Sequence, residues 1–147
     1  MKKSLTSLGV AAALAVTWWI GFVQSQDKQP KSKPVIFVSS DTAKFKEVMP
    51  GVSKALLWGK DDKGPYGAFT KFAPGFDAGM HTHTNDVWIV AIKGAYLYKD
   101  SAGEKRVNPG SFIRIPGKTK HWSGGDAKEG ALFYEESAGK FDLLPAK

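Results

Sequence analysis

Turn-forming residues recur so often after Val35 that no helical period survives between them. Breaks at Pro50-Gly51, at 59–65, and at Pro74-Gly75, Lys93-Gly94, Asn108-Pro109-Gly110, Pro116-Gly117 and Gly124-Gly125 leave segments of strand length. Strands are expected at 35–39, 54–58, 66–72, 80–83, 87–92, 96–99, 111–115 and 132–136, with a last one near 140–143. A single short helix is expected at 42–48, with Asp41 as its N-cap. This pattern predicts an all-β sandwich or small barrel, and 147 residues suffice for one such core without a second domain.

The first residues read differently. Lys2 and Lys3 precede an apolar run from Leu8 to Val23, after which the chain turns polar at Gln24-Ser25-Gln26-Asp27. Basic flank, apolar run and small-residue exit come in the order of an export signal. The expected organisation is a signal peptide over 1–25, a flexible tether over 26–33 and a β-barrel domain over 34–147. That order implies a periplasmic or secreted protein; the alternative is a membrane anchor formed by an uncleaved 5–23. Removing 1–25 takes away Lys2 and Lys3 and leaves 19 basic against 14 acidic residues. Lysines are interleaved with acids, as in Lys60-Asp61-Asp62-Lys63, and no basic helix or aromatic-basic motif is present. The charge reads as a solvated surface, with no nucleic-acid partner expected.

The chain has no cysteine, so disulfides, thiolate metal sites and cysteine nucleophiles are excluded. All three of its histidines lie in two short stretches, His81-Thr82-His83 and Lys120-His121-Trp122. On a strand, residues i and i+2 project to the same face, so His81 and His83 would offer two imidazoles to one space. His121, arriving from a later strand, would complete a three-nitrogen set on one side of a divalent ion and leave the other side open.

Gly75-x5-His81-x-His83-x3-Val87-x6-Gly94, followed by Gly110-x5-Pro116-x4-His121, resembles the paired motifs of the cupin superfamily. Three positions depart from that frame. Val87 stands where the family has Glu, Lys118 where it has Gly (with Gly117 one place early), and Gly125 where it has Asn. Further stretches from Gly64 to Asp142 are similar to an uncharacterised cupin subgroup related to the cupin domain of the ChrR anti-sigma factor. The resemblance implies a conical antiparallel barrel (double-stranded β-helix or jelly roll) with one divalent metal, Fe, Zn, Mn or Ni, held by His81, His83 and His121.

Without the glutamate the ion keeps its full double charge and is the stronger Lewis acid. Metal-hydroxide chemistry is then open, and so, by resemblance, is dioxygenase-like oxidation. The expected function is metal-dependent chemistry on a small organic molecule. The alternative is a non-enzymatic ligand-binding or sensor module, and a homodimer is left open. Asp86 could replace the missing carboxylate only through a bulge, because alternation turns it away from the site. Glu135 and Glu136 are neighbours on one strand, so a regular strand turns one of them inward, and Tyr96 or Tyr98 could present a hydroxyl. Glu135, Glu136 and Tyr96 are the candidate catalytic residues. Trp88, Trp122, Tyr98 and Tyr134 are expected mainly as core, and Arg114, Lys118 and Lys120 flank the second motif.

The export reading predicts that protein recovered from the periplasm or medium after expression of the full gene begins at Gln26. An intact N-terminus found in the membrane fraction would replace it with the anchor.

Overall fold

The computed structural model describes residues 32–146. The expected signal segment, the alternative anchor and most of the tether lie outside them. The chain splits into two compact units, of which the second is Val35–Lys147. The second unit is built of eleven strands in two antiparallel sheets, with no helix among the described residues.

The strands are β1 (Lys46–Met49), β2 (Val52–Gly59), β3 (Tyr66–Phe72), β4 (Asp77–Thr82), β5 (Val87–Gly94), β6 (Tyr96–Asp100), β7 (Gly103–Val107), β8 (Phe112–Ile115), β9 (His121–Gly125), β10 (Ala131–Ser137) and β11 (Leu144–Pro145). One sheet has six strands in the order β1-β2-β3-β10-β5-β8, and the other has five in the order β11-β4-β9-β6-β7. The crossover pairs β3-β10, β10-β5, β5-β8, β11-β4, β4-β9 and β9-β6 are those of a jelly roll, and the all-β expectation holds.

Strict alternation makes the core. In β10 the buried residues are Ala131, Phe133, Glu135 and Ser137, and in β5 they include Val87, Ile89 and Ala91. Together with Tyr96, Tyr98, Ile113 and Ile115 the apolar members form one cluster contributed by both sheets. Phe133 sits at its centre, edge-on to Phe72 at 4.9 Å and to Tyr96 at 5.1 Å. Such edge contacts suit the ring quadrupoles.

Seven of the expected strands coincide with observed ones to within a few residues. The helix expected at 42–48 does not form. Asp41 instead belongs to a turn closed by the Thr42 amide on the Ser39 carbonyl at 3.2 Å, and Lys46–Met49 pairs with β2 across the Pro50-Gly51 turn. One helical turn carries a nucleation cost that its own hydrogen bonds do not recover, whereas the hairpin satisfies the same amides against a neighbour. The strand expected at 35–39 is also absent, because the segment finds no sheet edge; Val35 and Phe37 remain exposed. The last strand is displaced from 140–143 to Leu144–Pro145. Strand β7 had no apolar signature because Glu104, Lys105 and Arg106 line a solvated sheet edge.

The second-motif turn explains one departure in the sequence. Lys118, at the usual glycine position, is the one non-glycine with positive φ among the described residues, at 66°. Gly117 cannot carry a side chain either, since a Cβ there would come 2.5 Å from the Thr84 carbonyl oxygen. The left-handed backbone at Lys118 directs its amide onto the His83 carbonyl at 2.7 Å, tying the two motifs together. Lys118→Gly removes a Cβ clash worth about 1–2 kcal/mol and adds unfolded-chain entropy of about 0.5–1 kcal/mol. We therefore expect a net stabilisation of up to about 1 kcal/mol in urea titration; a loss of stability would contradict it.

Candidate metal centre

His81 near the end of β4 and His121 at the start of β9 are direct cross-strand partners. His83 follows one residue past β4. The ring centroids lie 4.3 Å apart for His81–His121, 5.0 Å for His81–His83 and 5.4 Å for His83–His121. One ring nitrogen from each lies within 4.8 Å of the other two. Donors of a tetrahedral ion bound at 2.0–2.1 Å lie about 3.4 Å apart, so small ring movements would close the set.

The ring orientation is set from behind. Nδ1–H of His81 donates to the Gly79 carbonyl and Nδ1–H of His121 to the Thr119 carbonyl, each at 2.9 Å, while that of His83 donates to the Asp142 carbonyl. A neutral imidazole with Nδ1–H engaged carries its free lone pair on Nε2. Backbone carbonyls behind the ring are the usual outer support of metal-binding histidines. Nε2 of His121 is fully buried and has no hydrogen-bond partner. An orphaned buried acceptor is costly unless a group from outside the polypeptide satisfies it, and a divalent cation would do so. The donor set therefore fits a metal.

Burial pushes the His81 imidazole down to about 4, helped by the neighbouring His121 and His83 and opposed by the Gly79 carbonyl. His121 is lowered by burial as well. Tyr98 stacks on His121 at 5.3 Å with an interplanar angle of 22°, and its hydroxyl donates to Asp100 at 2.7 Å.

His81 and His83 open onto a narrow cavity of about 60 Å³ inside the barrel, walled mainly by aromatic and aliphatic side chains such as Phe72, Phe76 and Phe133. Val87, at the family's glutamate position, lines this cavity and supplies no donor. Asp86 does not approach the site. It accepts from Arg114 Nη2 at 2.6 Å and from the Gly117 amide at 2.8 Å, clamping the second-motif turn from outside. Those bonds and the arginine lower its carboxyl below the usual range.

Of the candidate catalytic residues, Glu135 lies inside the cavity, only 5% exposed. Tyr96 lines the same space, deep in the core, with its hydroxyl pKa raised by burial. Glu136 lies on the other face of β10, where it accepts from Tyr134 at 2.7 Å. Trp88, Trp122 and Tyr134 are half-buried on outer faces rather than core, and Trp122 donates to Asp77 at 2.5 Å.

Sequence reasoning missed the groups around Glu135. Lys54 Nζ lies 2.9 Å from Glu135 Oε1 and 3.4 Å from Asp61. The Tyr66 hydroxyl donates to the same Oε1 at 3.3 Å, and burial beside Glu135 raises its pKa far above the ordinary tyrosine value. The 140–143 segment crosses the cavity. Phe141 faces Lys54 Nζ at 4.0 Å and the His83 ring at 5.6 Å, and Asp142 accepts from the Thr84 amide at 2.8 Å. The inward, apolar-patterned register of β2 was the one available clue to Lys54.

The two sheets form a cupin-like fold that carries the three-histidine cluster inside it. The chain belongs to the family described as "Domain of unknown function (DUF4437)", whose model matches residues 42–147. Solved structures with the same fold include the polyketide cyclase RemF from Streptomyces resistomycificus, 15% identical with a TM-score of 0.63 over 78% of this chain and 87% of that one. A protein of unknown function with a cupin-like fold from Ralstonia eutropha is 19% identical, with a TM-score of 0.62 over 78% and 79%. A chain from the Rhodobacter sphaeroides complex of SigE with the anti-sigma ChrR is 13% identical, with a TM-score of 0.54 over 67% of this chain and 50% of that one. No curated protein matches.

The depressed imidazoles give a pH test on metal-free protein. An unfolded histidine titrates near 6.5, so below that pH the unfolded chain takes up a proton that folded His81 refuses until about pH 4. Stability from this source is complete above about pH 7 and is lost as pH falls from about 6.5 towards 4. Urea midpoints in chelator should fall across that window; midpoints that hold or rise would contradict the burial.

Proposed function

We propose that this protein is an exported, metal-dependent cupin acting on a small organic molecule. One observation carries the reading: three imidazoles are turned by backbone carbonyls so that their Nε2 atoms converge, and that of His121 is buried with no partner. His81, His83 and His121 would hold one divalent ion, and Val87 leaves it without a carboxylate. Such an ion supplies Lewis acidity to an oxygen-bearing ligand, or redox chemistry if it is iron.

The chain's own residues perform the rest. The aromatic walls of the narrow cavity exclude bulk water from the histidines. Glu135 is the group placed to accept a proton from a bound ligand, at the carboxylate that Lys54 and Tyr66 hold. The Tyr66 hydroxyl stays protonated and donates throughout. Phe141 closes the space from the C-terminal side.

A second reading, a ligand-responsive binding module, is favoured by one contact. His83 is held by the carbonyl of Asp142, so filling the site bears directly on the C-terminal segment that a partner would read. The likeness to a chain of the SigE–ChrR complex supports this reading.

Metal analysis of the purified protein should find close to one divalent ion per chain, falling below about a tenth in His81→Ala and His121→Ala; unchanged loading in both would overturn the site. Glu135→Gln should keep its metal and lose about 10²–10⁴-fold in kcat on whichever diketone, thiol or phenol the loaded protein turns over. A metal-loaded protein silent on the whole panel moves the conclusion to the binding module.

A further inference from the structure

The cavity beside the histidines has a volume of about 60 Å³. A water takes up about 10–15 Å³ on that scale, so roughly four to six non-hydrogen atoms of a ligand fit there and a larger body does not. Most of the wall belongs to the barrel itself. Phe72, Phe133 and Tyr96 pack on one another with ring centroids 4.9, 5.1 and 5.8 Å apart, and Val87 and Glu135 stand on the paired central strands β5 and β10. Such interlocked side chains on hydrogen-bonded strands yield little room to a ligand. Phe141 is the exception, a cavity-lining ring that lies on no strand.

The Phe141 ring lies 4.0 Å from Lys54 Nζ, 5.6 Å from the His83 ring and edge-on to Tyr66 at 6.4 Å. One ring thus reaches from the imidazoles to the Lys54–Glu135 pair, across the space that a bulkier ligand would need. The segment that carries it is tied down on both sides. The Phe141 amide donates to the Asp61 carbonyl at 2.7 Å, Asn85 Nδ2 donates to the Lys140 carbonyl at 3.2 Å, and the Asp142 carboxylate accepts from the Thr84 hydroxyl at 2.5 Å and its amide at 2.8 Å. Leu144 and Pro145 then pair with β4. These bonds fix the backbone at 140–142 and with it the place of the ring against His83. We infer that Phe141 is the specificity-determining residue of this site, and that its ring confines the substrate to oxygen- or sulfur-bearing molecules of roughly four to six non-hydrogen atoms, excluding aromatic ones. The inference rests on the metal-dependent reading proposed above and narrows it: of the diketones, thiols and phenols, the short-chain members of the first two remain.

Two hydroxamates test this on protein stripped with chelator and loaded with cobalt(II), binding being followed by the visible absorption of the ion. Acetohydroxamate is within the size limit; benzohydroxamate exceeds it by carrying a phenyl group in place of the methyl. Phe141→Ala removes that same group from the wall, and an apolar space so vacated takes up a benzene-sized body. The wild type should bind acetohydroxamate at least about 30-fold more tightly than benzohydroxamate, because a ring forced into filled space displaces packed side chains. Phe141→Ala should bring the two affinities within about 5-fold of each other. Phe141→Leu, which keeps an apolar wall and so guards against a variant that does not fold, should give an intermediate ratio. Equal affinity of the wild type for both hydroxamates, failure to bind acetohydroxamate, or an unchanged ratio in a variant with the wild-type circular dichroism spectrum would each overturn the inference and leave the cobalt-loaded centre standing. Failure to take up cobalt would instead overturn the metal centre, and this inference with it.

Discussion

Three backbone carbonyls, those of Gly79, Thr119 and Asp142, govern the interior of this barrel. Each accepts Nδ1–H from one histidine and thereby turns that ring's other nitrogen towards a common point. The three carbonyls come from a strand, a turn and the C-terminal crossing segment. No one of those segments could be repositioned without rotating an imidazole. The Lys118 amide on the His83 carbonyl and the Asp86 clamp on the Gly117 amide serve the same end, since both hold the turn that leads into His121.

A few polar groups lie inside the barrel, against the usual distribution. Lys54, Glu135 and Tyr66 form a hydrogen-bonded cluster within an otherwise apolar cavity. Buried ion pairs rarely add stability over apolar side chains of equal volume, because desolvation offsets their attraction. Folding stability alone therefore does not account for their presence beside the histidines.

The cupin frame was legible because its residues act locally. The i, i+2 spacing of His81 and His83 needs only strand pleating to place both rings in one space, and the structure does so with His83 just past the strand end. Asp86 facing away follows from the same alternation. The groups that complete the cavity were not legible. Lys54 resembles any surface lysine until the register of β2 with β3 turns it inward against Glu135, which sits 81 residues later. The helix expected at 42–48 failed for a related reason, since pairing with β2 outweighs local preference.

From the sequence alone came the all-β class, one compact core, the absence of thiol chemistry, and three histidines spaced for a shared face. These depend on covalent composition and on the two-residue period of a strand, which act over a few bonds. Tertiary structure decided which glutamate faces the cavity, that the 140–143 segment lines the site instead of forming a strand, and that Lys54 and Tyr66 meet Glu135 inside the barrel. Each of those depends on the register between strands distant along the chain. A shift of one residue in that register reverses every side chain, and which strands pair is settled between segments far apart in the chain.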